Sequence, residues 1–214
     1  MKQLLMNSNK NINKNIIINS DFTEYKKLFL EENSKKNLIS KNDEKFLYEK
    51  HIYDSLSIKL FIEKYGIKKA DLLDIGCGGG FPSLPIAMEF PNINVVGIDS
   101  IAKKIQSVET IKEKLGITNL SLICTRSETI KDRKFDIVTG RAVAELGKIC
   151  EFGLPLLKKD GYFIAYKSKK GQEEIQNAEG ILKKYNAKVT DIIEYTLPLE
   201  EIYERCLIIM RFCS

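Results

Sequence analysis

Short apolar runs alternate with amphipathic segments along most of the chain, and this alternation sets the architecture to expect. The apolar runs stand at 70–75, 94–99, 119–124, 135–140 and 161–166. Each has the length and composition of a buried strand. Between them, segments at about 82–90, 101–115, 144–157 and 171–185 repeat apolar residues at helical spacing. Strands and helices in alternation predict a mostly parallel sheet wrapped by helices, an α/β fold. Two further β-like runs, 187–196 and 205–212, have no helical pattern between them. They predict an antiparallel pair at one edge of the sheet. Before the first strand the period changes. From Ser20, a good N-cap, Phe22, Tyr25, Leu28 and Phe29 recur at helical spacing, and a second helix from about Asn42 carries Phe46, Leu47, Ile52 and Leu56. The expected organisation is a helical extension over 1–69 followed by a sheet domain over 70–214. Phe22, Tyr25, Leu28 and Phe29 are assigned to the core. Residues 1–19 are rich in Asn and Lys, and are expected to fray as far as Ile16-Ile17-Ile18.

Charge sharpens that division. The net charge of +5 lies wholly in the extension, where 14 Lys face 9 Asp or Glu, while the remainder balances at 20 basic and 20 acidic residues. A basic appendage on a neutral domain suits a phosphate-bearing partner such as nucleic acid. A Lys- and Asn-rich genome bias would produce the same excess. With 214 residues the chain can bury a substantial core. Its five cysteines form no Cys-x-x-Cys pair and it has one histidine, His51, so no zinc set is available. Reduced thiols, no apolar run long enough for a bilayer and no signal-peptide core lead to the expectation of a cytoplasmic protein without membrane or metal partners, and a monomer.

The chemistry concentrates at residues 72–80, Leu-Leu-Asp-Ile-Gly-Cys-Gly-Gly-Gly. Glycines at 76, 78 and 80 fit a place where a buried strand turns sharply while its backbone touches a ligand. Asp74 precedes them with a negative charge suited to a cationic or amine-bearing ligand such as S-adenosylmethionine. A dinucleotide fingerprint beginning at Gly76 would need glycine at 81, where the chain has Phe81. Asp99 closes the second run about 20 residues beyond the turn, the distance at which a carboxylate grips ribose hydroxyls. Capping the helix that begins near Ile101 is its other possible role. In an open parallel sheet ligands sit beyond the carboxyl ends of the strands, here Asp74, Asp99, Cys124 to Glu128, Gly140 to Arg141, and Lys167.

These features resemble class I S-adenosylmethionine-dependent methyltransferases over roughly residues 70–214. Four further pieces extend the resemblance over nearly the whole chain: Asn37-Leu-Ile-Ser40, His51-Ile-Tyr-Asp-Ser55, the loop from Gly76 to Pro85, and Thr139-Gly-Arg-Ala142. With Asp99-Ser100 before Lys103-Lys104, and Lys167 ending a strand, the set is similar to the bacterial 16S ribosomal RNA guanine-N7 methyltransferase family, also called glucose-inhibited division protein B. The resemblance implies a Rossmann-like fold, S-adenosyl-L-methionine as cofactor, and 16S ribosomal RNA or the small ribosomal subunit as partner. It implies that Gly76, Gly78 and Phe81 shape the cofactor loop, that Ser127 and Glu128 frame the adenine, and that Arg141 lies beside the cofactor. It also implies that His51, Lys167 and Arg205 face the methyl-transfer pocket or the RNA, with Asn37 supporting the extension. Departures from the family pattern are Glu32 before Asn33, Ile39, Ser168 after Lys167, and Cys206 after Arg205.

Each of these residues also has a plainer reading. His51 could be a packing histidine, Arg141 could pair with Glu145, and Lys167, Lys169 and Lys170 could form a solvated turn. The reaction type is narrowed by exclusion. No Asp- or Asn-Pro-Pro-aromatic turn follows the fourth strand, as exocyclic-amine methylation would favour, and no Pro-Cys or Thr-Cys dipeptide offers a nucleophile for pyrimidine carbon 5. A ring nitrogen with a free lone pair, such as guanine N7, needs neither device and asks mainly for positioning. A methyltransferase for a small molecule or protein, and a non-catalytic RNA-binding module, stay open from sequence.

Overall fold

The computed structural model describes residues 16–168, 171 and 173–213. The expectation of fraying over 1–19 and the grouping of Lys169 and Lys170 with Lys167 fall largely outside these residues. The sheet has the order β3-β2-β1-β4-β5-β7-β6. Its strands are β1 (Ala70–Ile75), β2 (Ile93–Asp99), β3 (Leu120–Cys124), β4 (Phe135–Arg141), β5 (Leu157–Ser168), β6 (Ala187–Leu197) and β7 (Tyr203–Phe212). The first five run parallel, and β7 lies antiparallel between β5 and β6. The antiparallel edge pair was legible in the two closing β-like runs.

Central strands covered on both faces read as unbroken apolar runs. Leu72 of β1, for example, aligns with Val95 on one side and Ile137 on the other. These three, with Ile164, face one core, while Leu73, Val96, Val138 and Phe163 face the other. Helices α7 (Leu146–Gly153) and α8 (Glu174–Lys184) cover the second core. The first is covered by α1 (Thr23–Lys36), the helical segments at 47–65, α5 (Ser83–Glu89) and α6 (Ala102–Lys114). The extension therefore shares its core with the sheet. Tyr25 and Phe29 are fully buried, and Phe22 and Leu28 nearly so, as their spacing suggested.

Two expectations are corrected. The second extension helix is not continuous: α2 (Lys41–Glu44) is followed by a π-helix over Leu47–Tyr53, then α3 (Asp54–Leu56) and α4 (Ile58–Tyr65). The Ser55 hydroxyl donates back to the His51 carbonyl at 2.6 Å and Ser57 to the Asp54 carbonyl at 2.8 Å. Such side-chain bonds compete with the regular ladder and bend it. Secondly, the helix expected to reach residue 157 stops at Gly153, and β5 begins at Leu157 instead of near 161. Pro155, which has no N–H to continue the helical ladder, sits in the 3₁₀ turn Leu154–Leu156 between them.

The chain before α1 is strapped down. Glu89 at the end of α5 accepts from the N–H groups of Asn19 and Ser20 at 2.9 to 3.1 Å, and from the Lys59 ammonium at 2.9 Å. Lys59 also donates to the Ile17 carbonyl at 2.6 Å, and the Ile16 N–H donates to the Tyr53 hydroxyl at 3.1 Å.

Candidate cofactor and methyl-transfer site

A cleft of about 560 Å³ opens at the carboxyl ends of β1, β2, β3 and β4. It is lined by Gly76, Gly78, Phe81, Asp99, Ser127, Glu128 and Arg141, with His51 and Leu38 contributed by the extension. Seven of the eight cofactor candidates read from sequence thus line this one cleft.

The loop after β1 depends on glycine. Gly76 has φ +70°, and a Cβ there would lie 2.7 Å from Cγ2 of Val143. Gly80 has φ +91°, and its Cβ would meet the Leu84 side chain at 2.8 Å. At both positions a residue with a Cβ would be strained and its neighbour would have to move. Asp99 then ties loop to strand. One of its oxygens accepts the Gly78 N–H at 2.9 Å and the other accepts the Ile101 N–H at 2.8 Å. The N-cap of α6 is Ile101 with no side-chain cap bond, so Asp99 steadies the backbone just ahead of the helix and does not cap it, and each of its oxygens keeps lone-pair capacity. A backbone hydrogen bond, and then Ser127 donating at 2.9 Å, hold the Glu128 carboxyl below its ordinary range.

Asp74 is the exception. It is fully buried behind the loop, where Ser83 donates to it at 2.5 Å and Thr139 at 3.1 Å. Burial pushes its pKa up to about 7, against the pull of those hydroxyls and of Arg141. Its carboxyl locks β1, β4 and the start of α5 together and is not part of the cleft lining. The direct role toward a cationic ligand expected from sequence has no geometric support here.

On the opposite wall Arg141 organises a buried polar cluster. Its Nη1 donates to the Lys50 carbonyl at 3.2 Å and to Oδ2 of Asp54 at 3.0 Å, and Nη2 lies 3.2 Å from Nδ1 of His51. The guanidinium also stacks over the Phe81 ring at 5.2 Å, a cation–π arrangement. The Phe81 ring is gripped in turn by Phe29, Tyr25 and His51 at centroid distances of 5.1, 6.4 and 4.9 Å. The alternative partner for Arg141, Glu145, is not the one it takes.

An arginine can only donate, so Nδ1 of His51 must accept, and the ring proton belongs on Nε2. Burial and the Arg141 charge together bring the His51 pKa down to about 4, so the imidazole is neutral at physiological pH. Nε2 of His51 and Nε of Arg141 are both buried without a protein acceptor. Two unpaired donors thus lie buried in the residues that line this side of the cleft.

Two candidates stand away from the cleft. Arg205 donates from Nε and Nη2 to the two oxygens of Asp54 at 3.1 and 3.2 Å. Lys167 donates to the Ala144 carbonyl at 2.8 Å and to Glu174 at 2.7 Å. Asn37 ends α1 in the left-handed conformation, φ 50°, which turns the chain so that Leu38 reaches the cleft beside Gly79. Sequence reasoning passed over Asp54, which is 1% exposed and also receives the Tyr195 hydroxyl at 2.7 Å. Burial alone would raise its pKa, but Arg205 and Arg141 outweigh that and hold it below the ordinary carboxylate value. The signal was available: an acid inside the apolar run Ile52-Tyr53-Asp54-Ser55-Leu56, three residues after His51.

The family model for rRNA small subunit methyltransferase G matches residues 18–202. The chain belongs to this family. A member from Staphylococcus saprophyticus subsp. saprophyticus, ribosomal RNA small subunit methyltransferase G, is 40% identical over 193 residues, covering 88% of this chain and 80% of that protein. The protein of the same name from Listeria innocua serovar 6a is 38% identical over 186 residues, covering 84% of this chain and 77% of that one. The solved structure of M. jannaschii TYW2 in complex with AdoMet has a TM-score of 0.58 at 12% identity, covering 75% of this chain and 77% of that one. At that identity the likeness is one of fold. The family's Rossmann-like class I methyltransferase architecture accounts for the parallel sheet and its antiparallel C-terminal pair. No described helix is long and apolar enough to cross a membrane.

Proposed function

We propose that the chain transfers a methyl group from S-adenosyl-L-methionine to N7 of a guanine in 16S ribosomal RNA, acting as a cytoplasmic monomer on that RNA or on the small ribosomal subunit. One observation carries the reading most of the way: in a chain of this family, the glycine loop and Asp99 share a single cleft with the Arg141–His51 wall.

The residues present fit such a cofactor. Asp99 has lone pairs free for ribose hydroxyls, Ser127 and Glu128 offer polar atoms to an adenine, and the 76–80 loop lets backbone approach closely. S-adenosylmethionine supplies an electrophilic methyl group carried on a sulfonium. The chain's part is to bind, orient and exclude water. Guanine N7 attacks through its own lone pair, so no proton need be removed first. The wall agrees with that demand: His51 is a donor at Nε2, Asp54 is saturated by arginines, and burial pushes the Cys77 thiol well above its ordinary pKa. None of the three is poised as a base or a thiolate nucleophile. Catalysis by positioning is what this arrangement offers. Lys104 and Arg126 at the cleft wall suit contact with RNA phosphates.

The test is transfer of labelled methyl from S-adenosylmethionine to small subunits from cells lacking this gene, alongside naked 16S RNA, transfer RNA and DNA, with nucleoside analysis of the product. Label in 7-methylguanosine of 16S RNA is expected. Label in another nucleoside, or in none of these substrates despite cofactor binding, would move the activity to a different acceptor.

A further inference from the structure

The buried cluster behind the cleft has a centre that none of the site candidates includes. Asp54 receives four hydrogen bonds from three side chains: Arg141 and Arg205 on Oδ2, and Tyr195 and Arg205 on Oδ1. These come from β4, β6 and β7, so one carboxylate at the end of the π-helix gathers three strands. Only one of its partners, Arg141, reaches the cleft.

The orientation of Arg141 matters because both terminal nitrogens of its guanidinium and its plane are engaged. Nη1 is held by Asp54 and the Lys50 carbonyl, Nη2 meets Nδ1 of His51, and the plane lies over Phe81 of the glycine loop. Two arginines on one carboxylate leave a surplus positive charge in this buried cluster. Without Asp54 they would repel each other, and the anchor that aims Nη2 at His51 would be gone. We propose that Asp54 is a positioning residue for methyl transfer: it holds Arg141 so that the guanidinium fixes the ring of His51, a cleft-lining residue, with Nδ1 accepting and Nε2 protonated. This rests on the methyl-transfer reading of the cleft. Asp54 touches neither ligand itself and acts through Arg141. The antiparallel pair β6–β7 thereby contributes to the site indirectly, through Tyr195 and Arg205.

The chain has one histidine, so imidazole ¹⁵N signals of the full-length protein without a histidine tag report His51 alone. Wild type should show Nδ1 unprotonated and Nε2 protonated. The groups acting on that ring are Arg141, Asp43, Asp54 and Lys50, with Phe81 packed against it. Asp54→Asn should move the signals toward a tautomer mixture and lower kcat about 100-fold, the scale of a 1 Å misplacement. Binding of S-adenosylhomocysteine, measured by calorimetry, should survive. In an Arg141→Ala background the same substitution should cost nothing further in kcat, because the two act as a unit. Unchanged His51 signals, unchanged kcat in the folded variant, or losses that add across the two substitutions would each overturn the proposal. If Asp54→Asn does not fold, Tyr195→Phe removes one donor from Oδ1, and it should shift the His51 signals the same way with a several-fold loss of kcat. No change in either would overturn the proposal. Should wild type prove unable to methylate small-subunit RNA, the functional reading fails, while the His51 spectra still decide whether Asp54 orients the pair.

Discussion

Asp74→Asn isolates the cost of an acid buried behind the cofactor loop. The Asp74 pKa stands at about 7 against an ordinary value of 3.8, a difference driven by burial. A carboxyl whose folded pKa is raised binds protons more readily in the folded state, so stability is lost as pH rises from 3.8 to about 7 and levels off above that. At one pKa unit per about 1.4 kcal/mol, the full shift amounts to roughly 4 kcal/mol above pH 8. Between pH 8 and pH 5 the wild type should recover about 2 to 3 kcal/mol of this through protonation of Asp74. Asparagine keeps an acceptor for one of the two hydroxyls and offers an N–H₂ to the other, which can rotate to accept. It removes the titration. Urea unfolding of both proteins at pH 5, 6, 7 and 8 is the assay, since the other carboxylates titrate alike in both and cancel in the difference. The stability of Asp74→Asn relative to wild type should therefore improve by about 2 to 3 kcal/mol from pH 5 to pH 8. A difference that stays flat over that range would refute the burial argument. Cofactor affinity should change little, because the carboxyl faces Ser83 and Thr139 and not the cleft.

Gly76→Ala should weaken S-adenosylmethionine binding at least tenfold by calorimetry, because left-handed backbone costs a residue with Cβ about 1 to 2 kcal/mol and the new methyl meets Val143. Asp99→Ala should raise the cofactor Kd strongly and also loosen the loop, since the Gly78 and Ile101 N–H groups lose their acceptor; amide exchange at Gly78 and Ile101 should accelerate in the apo protein. Glu89→Gln breaks a buried pair with Lys59 and weakens the strap at Asn19 and Ser20, at a cost of about 3 kcal/mol by urea unfolding. Its effect on kcat at temperatures well below unfolding should be slight.

What the sequence disclosed follows from what each interaction needs. The strands were legible because apolar runs buried on both faces leave a local trace, and the glycine loop because a positive φ restricts the residue at its own position. Asp99 was singled out by its spacing from the glycine turn and Phe81 by the family resemblance, and both line the cleft. The role of Asp74 was misjudged because a carboxylate before a glycine turn looks the same whether it points at a ligand or back at Ser83 and Thr139. Arg205 was expected to face the methyl-transfer pocket or the RNA, yet its charge is spent on Asp54, a partner 151 residues away. Such pairings leave no local signature. The π-helix is similar: its residues have ordinary helical spacing, and the irregularity arises where Ser55 and Ser57 bond back to carbonyls and Asp54 is drawn to the end of the sheet.

The tie between Asp54 and Arg205 also bears on how the protein comes into being. Asp54 leaves the ribosome 87 residues before Arg141, 141 before Tyr195 and 151 before Arg205. At synthesis rates of about 5 to 20 residues per second, the carboxylate waits on the order of 10 seconds for its last partner. Until then the growing chain holds a cofactor loop and an Arg141 whose anchor is half made, so the support behind the cleft wall is completed only once β7 has been made.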